Sequence, residues 1–232
     1  MNAPRGARRA VFFDLDGTLA DTAPDLAYAL NALRAEEGLA ALPLARIRPC
    51  VSGGSPALLG LGFGRSDPED PQYQALRGRL LDLYGGRIAC DTRLFPGMAE
   101  VLDTLTGAAV PWGVVTNKPV RLTHPLLASL GIAERAACIV CGDTTAYRKP
   151  HPAPLLHAAR LCGRDPGNCL FVGDSRDDMS AGRAAGMTTL VALFGYLAPG
   201  DDPSAFGADG AISHPGAVLA WVNGISVGSE PR

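Results

Sequence analysis

The sequence predicts a doubly wound α/β fold, in which helices cover both faces of a parallel sheet. Short apolar runs alternate along the chain with stretches of helical spacing. The runs are continuously apolar, as expected for strands that are buried on both faces. Strand–helix–strand repetition of this kind is typical of a parallel sheet with crossover helices. The predicted strands are Val11–Phe13, Trp112–Thr116, Ala137–Val140, Cys169–Val172, Thr189–Leu193 and, as a further candidate, Gly210–Ile212.

About a hundred residues without a convincing strand separate the first two predicted strands. Two helices are predicted in this segment. The first begins with a capping box at Thr22 and Asp25 and ends near Gly38. The second runs from about Pro71 to Tyr84, with apolar residues at helical spacing. We therefore predict that residues 20–93 form a small helical cap domain, inserted after the first strand.

The remaining helices are predicted between the strands of the sheet. They are Val120–Leu130, Ala153–Leu161, Ser175–Ala185 and a helix opened by Phe95-Pro96-Gly97-Met98. Together with the strands, they predict a Rossmann-like catalytic core made of residues 1–19 and 94–232.

Composition excludes several classes of partner. The 232 residues include 21 Lys plus Arg and 23 Asp plus Glu, a net charge of −2, so the basic excess of a nucleic-acid binder is missing. No apolar run approaches the roughly 18 residues of a membrane span. The basic start, Met1 to Arg9, is followed by only Ala10–Phe13 before Asp14, which is too short for a signal-peptide core. We expect a cytoplasmic protein that binds neither nucleic acid nor membrane.

Two carboxylates follow the first predicted strand directly, in the run Asp14-Leu15-Asp16-Gly17-Thr18. Open α/β sheets bind ligands at the carboxyl ends of their strands, so a site is expected here. Gly17 bends the chain, which would let both carboxylates converge on one point. Taken alone, the run is also compatible with an Asx-turn that leaves the strand.

A second acidic run, Gly173-Asp174-Ser175-Arg176-Asp177-Asp178, follows the fourth predicted strand. Asp178 lies one turn into the next helix and is expected to face back toward Asp174. The alternative is that Asp174 caps this helix and that Asp177 interacts with the helix dipole.

Together the two acidic runs predict a magnesium site. Four carboxylates, from Asp14, Asp16, Asp174 and Asp178, would meet at one edge of the sheet and repel one another without a cation. Oxygen ligands of this kind suit Mg²⁺, which also keeps waters for a phosphate substrate. Asp177 is expected to remain in solvent.

Other residues at the same edge are suited to phosphate. Thr116-Asn117 ends the second predicted strand before a helix, so a hydroxyl and free backbone N–H groups are presented to an anion. Lys149, just before the helix that begins near Pro152, can supply a counter-charge to a phosphoryl group. A lone lysine at such a position is more often on the surface. In combination these residues predict a small-molecule phosphate ester as the ligand.

This ordered set of residues resembles the haloacid dehalogenase superfamily, and specifically its phosphatases. The set consists of Asp14-x-Asp16-Gly17-Thr18, Thr116-Asn117, Lys149 and Gly173-Asp174-x-x-x-Asp178. It occurs in the order of the family and spans nearly the whole chain. The helical insertion lies between the first and second motifs, as in family members with a small helical cap.

The resemblance implies a mechanism. Asp14 would attack phosphorus and form an aspartyl-phosphate, and Asp16 would protonate the leaving oxygen and then take a proton from water. Mg²⁺ would be held by Asp14, the backbone carbonyl of Asp16 and Asp174, with Asp178 in a supporting or water-mediated role. The residues that would hold the phosphoryl oxygens are Thr116, Asn117 and Lys149.

The resemblance leaves other activities of the superfamily to consider. Its dehalogenases lack the second aspartate, so Asp16 argues against that reaction. Residues 20–93 contain no lysine, which argues against the phosphonate-cleaving members, since these use a cap lysine. Thr18 favours a hydrolase over the sugar phosphomutases, which typically carry Val there, but that alternative stays open. A non-catalytic phosphoacceptor domain is a further alternative, although such domains lack an insertion after the first strand.

The cap is expected to select the substrate through Arg46, Arg48 and the turn Ser52-Gly53-Gly54, because a Gly-rich turn can approach a ligand closely. The overall pattern resembles the phosphoglycolate phosphatase branch. Two stretches resemble more closely the N-acetylmuramic acid 6-phosphate phosphatases: Val51–Gly54, and Phe194-Gly195-Tyr196-Leu197 through Gly207-Ala208-Asp209. Both 2-phosphoglycolate and N-acetylmuramic acid 6-phosphate are therefore candidate substrates. The chain could be a monomer or a homodimer.

Overall fold

A six-stranded parallel sheet forms the core of the computed structural model, which describes residues 9–198 and 200–222. The strands in chain order are β1 (Ala10–Phe13), β2 (Ala20–Asp21), β3 (Arg93–Leu94), β4 (Trp112–Val115), β5 (Cys138–Val140), β6 (Cys169–Gly173), β7 (Thr188–Ala192) and β8 (Gly210–Ile212). The order across the sheet is β5–β4–β1–β6–β7–β8, and each neighbouring pair is parallel. The predicted parallel α/β sheet is therefore confirmed, and its sixth strand is Gly210–Ile212.

Helices cover both faces of this sheet. The α-helices are α1 (Ala23–Glu36), α2 (Leu44–Ile47), α3 (Gly54–Phe63), α4 (Pro71–Gly85), α5 (Met98–Gly107), α6 (Val120–Ser129), α7 (Ala153–Leu161), α8 (Arg176–Ala184) and α9 (Val218–Val222). Side chains of β1 alternate between two apolar clusters, because successive strand residues point to opposite faces. Val11 and Phe13 pack in the cluster that includes α5 and α6, whereas Ala10 and Phe12 pack with α7 and α8. This is the doubly wound arrangement.

The predicted strands of the sheet, and the three core helices whose ends were predicted, begin and end within one residue of the observed bounds. The helix opened by Phe95–Met98 is α5, and its end was not predicted. Continuous apolar runs of four or five residues are a strong signal when both faces of the strand are buried. In the described parts of the chain, none of the helices combines the length and the apolar character needed to span a bilayer.

The insertion between β2 and β3 contains the four α-helices α1–α4, two of which the sequence analysis missed. The helix α2 has only four residues, and α3 has almost no polar face to create a periodic pattern. The chain enters and leaves the insertion through one antiparallel ribbon, in which β2 pairs with β3. The ribbon lies at the predicted bounds, 20 and 93. That residues 20–93 form a separate domain stays a prediction, and the outer core bounds, 1 and 232, lie outside the described residues.

The predicted capping box at the start of α1 is wrong. The Thr22 side chain makes no capping hydrogen bond, and the fully buried Asp25 turns to the other end of the insertion. Its carboxylate accepts hydrogen bonds from the backbone N–H groups of Asp91 (3.1 Å) and Thr92 (2.9 Å) and from the Thr92 hydroxyl (2.7 Å). The Asp25 carboxylate therefore connects the two ends of the insertion beside the ribbon.

Replacing Asp25 with alanine should lower the free energy of unfolding by about 3 kcal/mol, because buried donors would lose a charged acceptor. Arg87, whose Nε lies 3.4 Å from Asp25 Oδ1, would also lose this ion pair and keep only the one with Asp91. Denaturant unfolding measures the change. Asp82→Ala, at an exposed position on α4, is the matched control and should shift the value by no more than about 0.5 kcal/mol. Equal stability of wild type and Asp25→Ala would contradict this role.

Candidate active site

The predicted site residues lie together at one edge of the sheet. Asp14 follows β1, Thr116 follows β4 and Asp174 follows β6, and these three strands are neighbours. The carboxyl ends of neighbouring parallel strands meet at the same edge, which is why residues far apart in sequence come together here.

Lys149 is the centre of the site. Its buried ammonium donates hydrogen bonds to Asp14 Oδ1 (2.8 Å), Asp178 Oδ1 (2.6 Å) and the Val115 carbonyl (2.9 Å). Each of its three protons therefore has an acceptor in the protein. The Asn117 side chain holds the backbone of Lys149 from both sides: Nδ2 donates to the Lys149 carbonyl, and Oδ1 accepts from its N–H, each at 3.0 Å. Asn117, predicted as a phosphate ligand, thus uses its side chain to position Lys149.

Thr116 and Asn117 keep other groups available to a ligand. Both residues line the cavity above the sheet edge. The Thr116 hydroxyl accepts from the Lys118 N–H at 3.2 Å. The backbone N–H of Asn117 has no acceptor among residues 9–198 and 200–222, so it remains suited to an anion.

Three carboxylates form a buried acidic cluster. Oxygens of Asp14, Asp174 and Asp178 lie within 4.8 Å of one another. Burial raises the pKa of Asp14 to about 8, with further contributions from the neighbouring carboxylates and an opposing one from Lys149. Burial and Asp178 likewise raise the pKa of Asp174 to about 7. A cluster of all-oxygen donors with excess negative charge fits a hard divalent cation.

Asp174 is held by two hydrogen bonds and packs closely against two glycines. Its Oδ2 accepts hydrogen bonds from the Tyr196 N–H (2.8 Å) and from the Ser52 hydroxyl (2.7 Å) of the insertion. A methyl group on Gly17, where φ is +88°, would overlap the Asp174 carboxylate, and one on Gly195 would overlap its Cβ. Glycine is required at Gly17 both for its backbone conformation and for this close approach.

Asp178 faces back from the first turn of α8, as predicted. Its Oδ2 accepts hydrogen bonds from the N–H (3.1 Å) and hydroxyl (2.6 Å) of Ser175, and the Ser175 hydroxyl accepts from the Asp178 N–H (3.2 Å). Ser175, and not Asp174, therefore caps the helix. Asp177 is exposed, as expected.

Asp16 does not join the acidic cluster, which corrects the expectation that both carboxylates after β1 converge. Its Oδ1 accepts a hydrogen bond from the Thr22 hydroxyl (2.5 Å) and pairs with Lys118 Nζ (2.9 Å). Asp14 faces Lys149 instead. The two aspartates of the motif thus each have their own lysine.

Lys118 is the functional candidate that the sequence analysis missed. Burial opposes its charge, yet Asp16 and the adjacent Tyr84 hold the pKa of Lys118 above its usual value. Its Nζ also lies 4.6 Å from the ring centre of Tyr84, a buried residue of α4. A signal was available, because Lys118 and Lys149 are the only lysines in the chain.

A cavity of 530 Å³ separates the acidic cluster from the helices of the insertion. The predicted turn residues Ser52, Gly53 and Gly54 line it, together with apolar side chains such as Leu80 and Leu81. The Gly-rich turn therefore does face the space in which a substrate would bind.

Arg46 and Arg48 lie elsewhere, which corrects their expected place beside the substrate. Neither is among the described residues that line the cavity. Arg46 is exposed, and Arg48 pairs with Asp21 of the ribbon at 2.9 Å while it lies over the Tyr196 ring at 5.0 Å. Both precede the Gly-rich turn in sequence, but the intervening chain places them outside the cavity.

A family model of haloacid dehalogenase-like hydrolases matches residues 8–186. The chain belongs to this family of haloacid dehalogenase-like hydrolases. The family assignment made from the ordered motifs is therefore confirmed.

Several proteins similar to the hydrolase over most of its length are named phosphatases. An N-acetylmuramic acid 6-phosphate phosphatase of Pseudomonas putida is 44% identical over 89% of this chain and 92% of that protein. A phosphoglycolate phosphatase of Xanthomonas campestris is also 44% identical, over 89% of this chain and 93% of that protein. The crystal structure of a predicted phosphoglycolate phosphatase from Haemophilus somnus has a TM-score of 0.82 and 26% identity, and the match covers 94% and 99% of the two chains. These comparisons confirm that the hydrolase is a phosphatase.

Replacing Gly17 with alanine should lower the kcat of the hydrolase about 100-fold or more, because the new methyl group displaces the Asp174 carboxylate. Initial rates of phosphate release measure the effect, and circular dichroism reports whether the variant folds.

The matched control for this experiment is Gly97→Ala. Gly97 has a similar φ of +85°, but a methyl group added there would meet no neighbouring side chain or backbone within 4 Å, so the substitution introduces backbone strain alone. Its kcat should be that of wild type. An unchanged kcat in folded Gly17→Ala would show that the contact with Asp174 is dispensable.

Proposed function

We propose that this chain is a Mg²⁺-dependent phosphomonoester hydrolase that acts through a phosphorylated Asp14. The acidic cluster around Lys149 carries the proposal. Three carboxylates, from Asp14, Asp174 and Asp178, stand against one ammonium, which leaves two negative charges when all are ionised. One divalent cation balances that charge, and all-oxygen donors favour Mg²⁺ over softer metals.

Asp14, Asp174 and the backbone carbonyl of Asp16 would hold the ion, with Asp178 in a supporting role. When bound, Mg²⁺ supplies charge neutralisation at the phosphoryl oxygens of the substrate. Thr116 and the Asn117 N–H would bind the same phosphoryl group from the side of the sheet. Lys149, whose protons already have acceptors in the protein, would supply positive charge beside that group.

Asp14 is suited to act as the nucleophile. Lys149 holds its Oδ1, whereas its Oδ2 has no hydrogen-bond partner among the described residues. Attack by this oxygen forms the bond to phosphorus as the bond from phosphorus to the substrate oxygen breaks. Hydrolysis of the aspartyl-phosphate by water then returns Asp14 and releases inorganic phosphate.

Asp16 is suited to move the proton. The Thr22 hydroxyl and Lys118 both contact its Oδ1, which fixes the orientation of the carboxyl group and leaves Oδ2 without a partner among the described residues. Asp16 donates a proton to the leaving oxygen in the first step and accepts one from water in the second. Lys118 and Thr22 act as positioning residues.

N-acetylmuramic acid 6-phosphate is the substrate that the cavity supports best. A volume of 530 Å³ lies within the range for drug-sized ligands. A two-carbon acid phosphate would leave most of it empty, whereas an amino sugar could also contact the apolar side chains of α4. Similarity to phosphatases of both names keeps 2-phosphoglycolate as the second candidate. The phosphatase names favour hydrolysis over the phosphomutase and phosphoacceptor alternatives.

Cytoplasmic location and assembly as a monomer or homodimer stay predictions from the sequence. Neither is needed for the proposed chemistry, since the described residues of one chain supply the acidic cluster, both lysines and the cavity.

Initial rates with Mg²⁺ on N-acetylmuramic acid 6-phosphate, 2-phosphoglycolate and a set of hexose phosphates test the proposed function. We expect kcat/KM for N-acetylmuramic acid 6-phosphate to exceed the others by about 100-fold or more, which is about 2.7 kcal/mol of transition-state discrimination. A comparable preference for 2-phosphoglycolate would contradict the proposed substrate but still support the proposed reaction.

Asp14→Asn is the blank for these rates, because an amide at this position cannot form the phosphorylated intermediate. Activity that persists in this variant, or in the presence of a chelator without Mg²⁺, would contradict the mechanism.

A further inference from the structure

An arginine of the insertion lies at the cavity without a partner. Arg77, on α4, is partly buried and lines the cavity, yet its side chain makes no hydrogen bond or ion pair with any residue in 9–198 or 200–222. Its neighbour Arg79, on the exposed side of the same helix, pairs with Glu36 at 2.8 Å. The N–H donors of the Arg77 guanidinium are therefore available to a ligand in the cavity, and their positive charge favours an anionic one.

A second arginine reaches the same cavity from the core. Arg148 directly precedes Lys149, and its Nε donates to the Gly142 carbonyl at 2.8 Å. This hydrogen bond holds the guanidinium, while its terminal nitrogens have no acceptor among the described residues. Arg148 is therefore oriented by the protein and still able to bind a ligand.

Tyr73 lines the same cavity as the two arginines. This residue of α4 is 2% exposed, and Arg77 lies one turn further along the same face of the helix. Burial raises the pKa of Tyr73, and the positive charges of Arg77 and Arg148 oppose that rise. We call Tyr73, Arg77 and Arg148 the arginine end of the cavity.

Charge at the arginine end is not balanced by the described residues. The carboxylates among them that line the cavity are Asp14, Asp16, Asp177 and Asp178, all from the two acidic motifs. Lys118 and Lys149 pair with three of these carboxylates. The phosphoryl group of a substrate would bind at that acidic and lysine-containing end, so the two arginines remain for a different group.

We propose that Arg77 and Arg148 bind a carboxylate of the substrate, separate from its phosphate, and that the enzyme selects phosphate esters that carry such a second anionic group. The inference rests on the proposed function and deepens it. The planar guanidinium forms paired hydrogen bonds with a carboxylate, which a neutral sugar hydroxyl cannot reproduce. N-acetylmuramic acid 6-phosphate and 2-phosphoglycolate both carry a carboxylate, whereas ordinary hexose phosphates do not.

Matched substrates test the role of Arg77. N-acetylglucosamine 6-phosphate has the same amino sugar and phosphate as N-acetylmuramic acid 6-phosphate but lacks the lactyl carboxylate. Arg77→Met should lower kcat/KM for the acid about 30-fold, equivalent to about 2 kcal/mol, mainly through KM, and leave the neutral substrate unchanged. For the smaller candidate substrate, the same comparison is made between 2-phosphoglycolate and its amide, which lacks the carboxylate.

Arg79→Met is the control, since it removes an exposed arginine two residues away on α4 and should change neither rate. Methionine keeps the apolar stem of the side chain, so packing is preserved. Arg77→Lys retains the positive charge and should recover part of the kcat/KM for the acid that Arg77→Met loses. This variant also tests the proposal if Arg77→Met does not fold.

Three results would overturn the proposal. An equal loss on acid and neutral substrates in Arg77→Met would show a merely structural role, and an unchanged rate on the acid would show no role. Wild-type enzyme that hydrolyses p-nitrophenyl phosphate but does not prefer the acids would disprove carboxylate selection while the proposed phosphatase reaction stands. Failure to hydrolyse any of these esters, p-nitrophenyl phosphate included, would instead disprove the proposed function.

Discussion

The burial of three carboxylates around a single lysine is the constraint on which the rest of the structure depends. Asp14, Asp174 and Asp178 are nearly inaccessible to solvent, and like charges at this distance in a protein interior repel strongly. Lys149 offsets only part of that repulsion. The carboxylates stay close together because the backbone at the carboxyl ends of β1, β4 and β6 fixes their positions. The excess negative charge that remains can be neutralised by a divalent cation. Unfavourable repulsion of this kind is typical of functional sites, because binding of a cation relieves it.

The insertion is connected to the same charged groups. Ser52 donates to Asp174, and Tyr84 of α4 packs against Lys118, the partner of Asp16. Tyr196 joins both parts: its hydroxyl accepts from the Thr22 N–H at 2.6 Å, at the start of α1, while its own N–H donates to Asp174. The insertion therefore contacts Asp174 directly through the turn at Ser52, and it reaches Asp16 through Lys118.

The sheet and the acidic motifs could be predicted because their signals are local. A strand buried on both faces is apolar at every position, and a carboxylate that follows it must lie at the sheet edge. Roles that depend on the packing of the insertion could not be predicted in this way. The rotation of α4 about its axis decides that Arg77, and not Arg79, faces the cavity. Arg48, on another part of the insertion, forms an ion pair with Asp21 and does not reach the cavity. Asp25 matches a capping pattern in the sequence, but its carboxylate accepts hydrogen bonds at the other end of the insertion, from Asp91, 66 residues away.

The number of protons released when Mg²⁺ binds tests the central claim most directly. The pKa of Asp14 is raised to about 8 and that of Asp174 to about 7, so both carboxyl groups are partly protonated at about pH 7 in the metal-free protein. Because a carboxylate must lose its proton to ligate, calorimetric titrations in buffers of different ionisation enthalpy should show proton release on Mg²⁺ binding at about pH 7, and less of it at about pH 9. Binding without proton release at neutral pH would contradict the account.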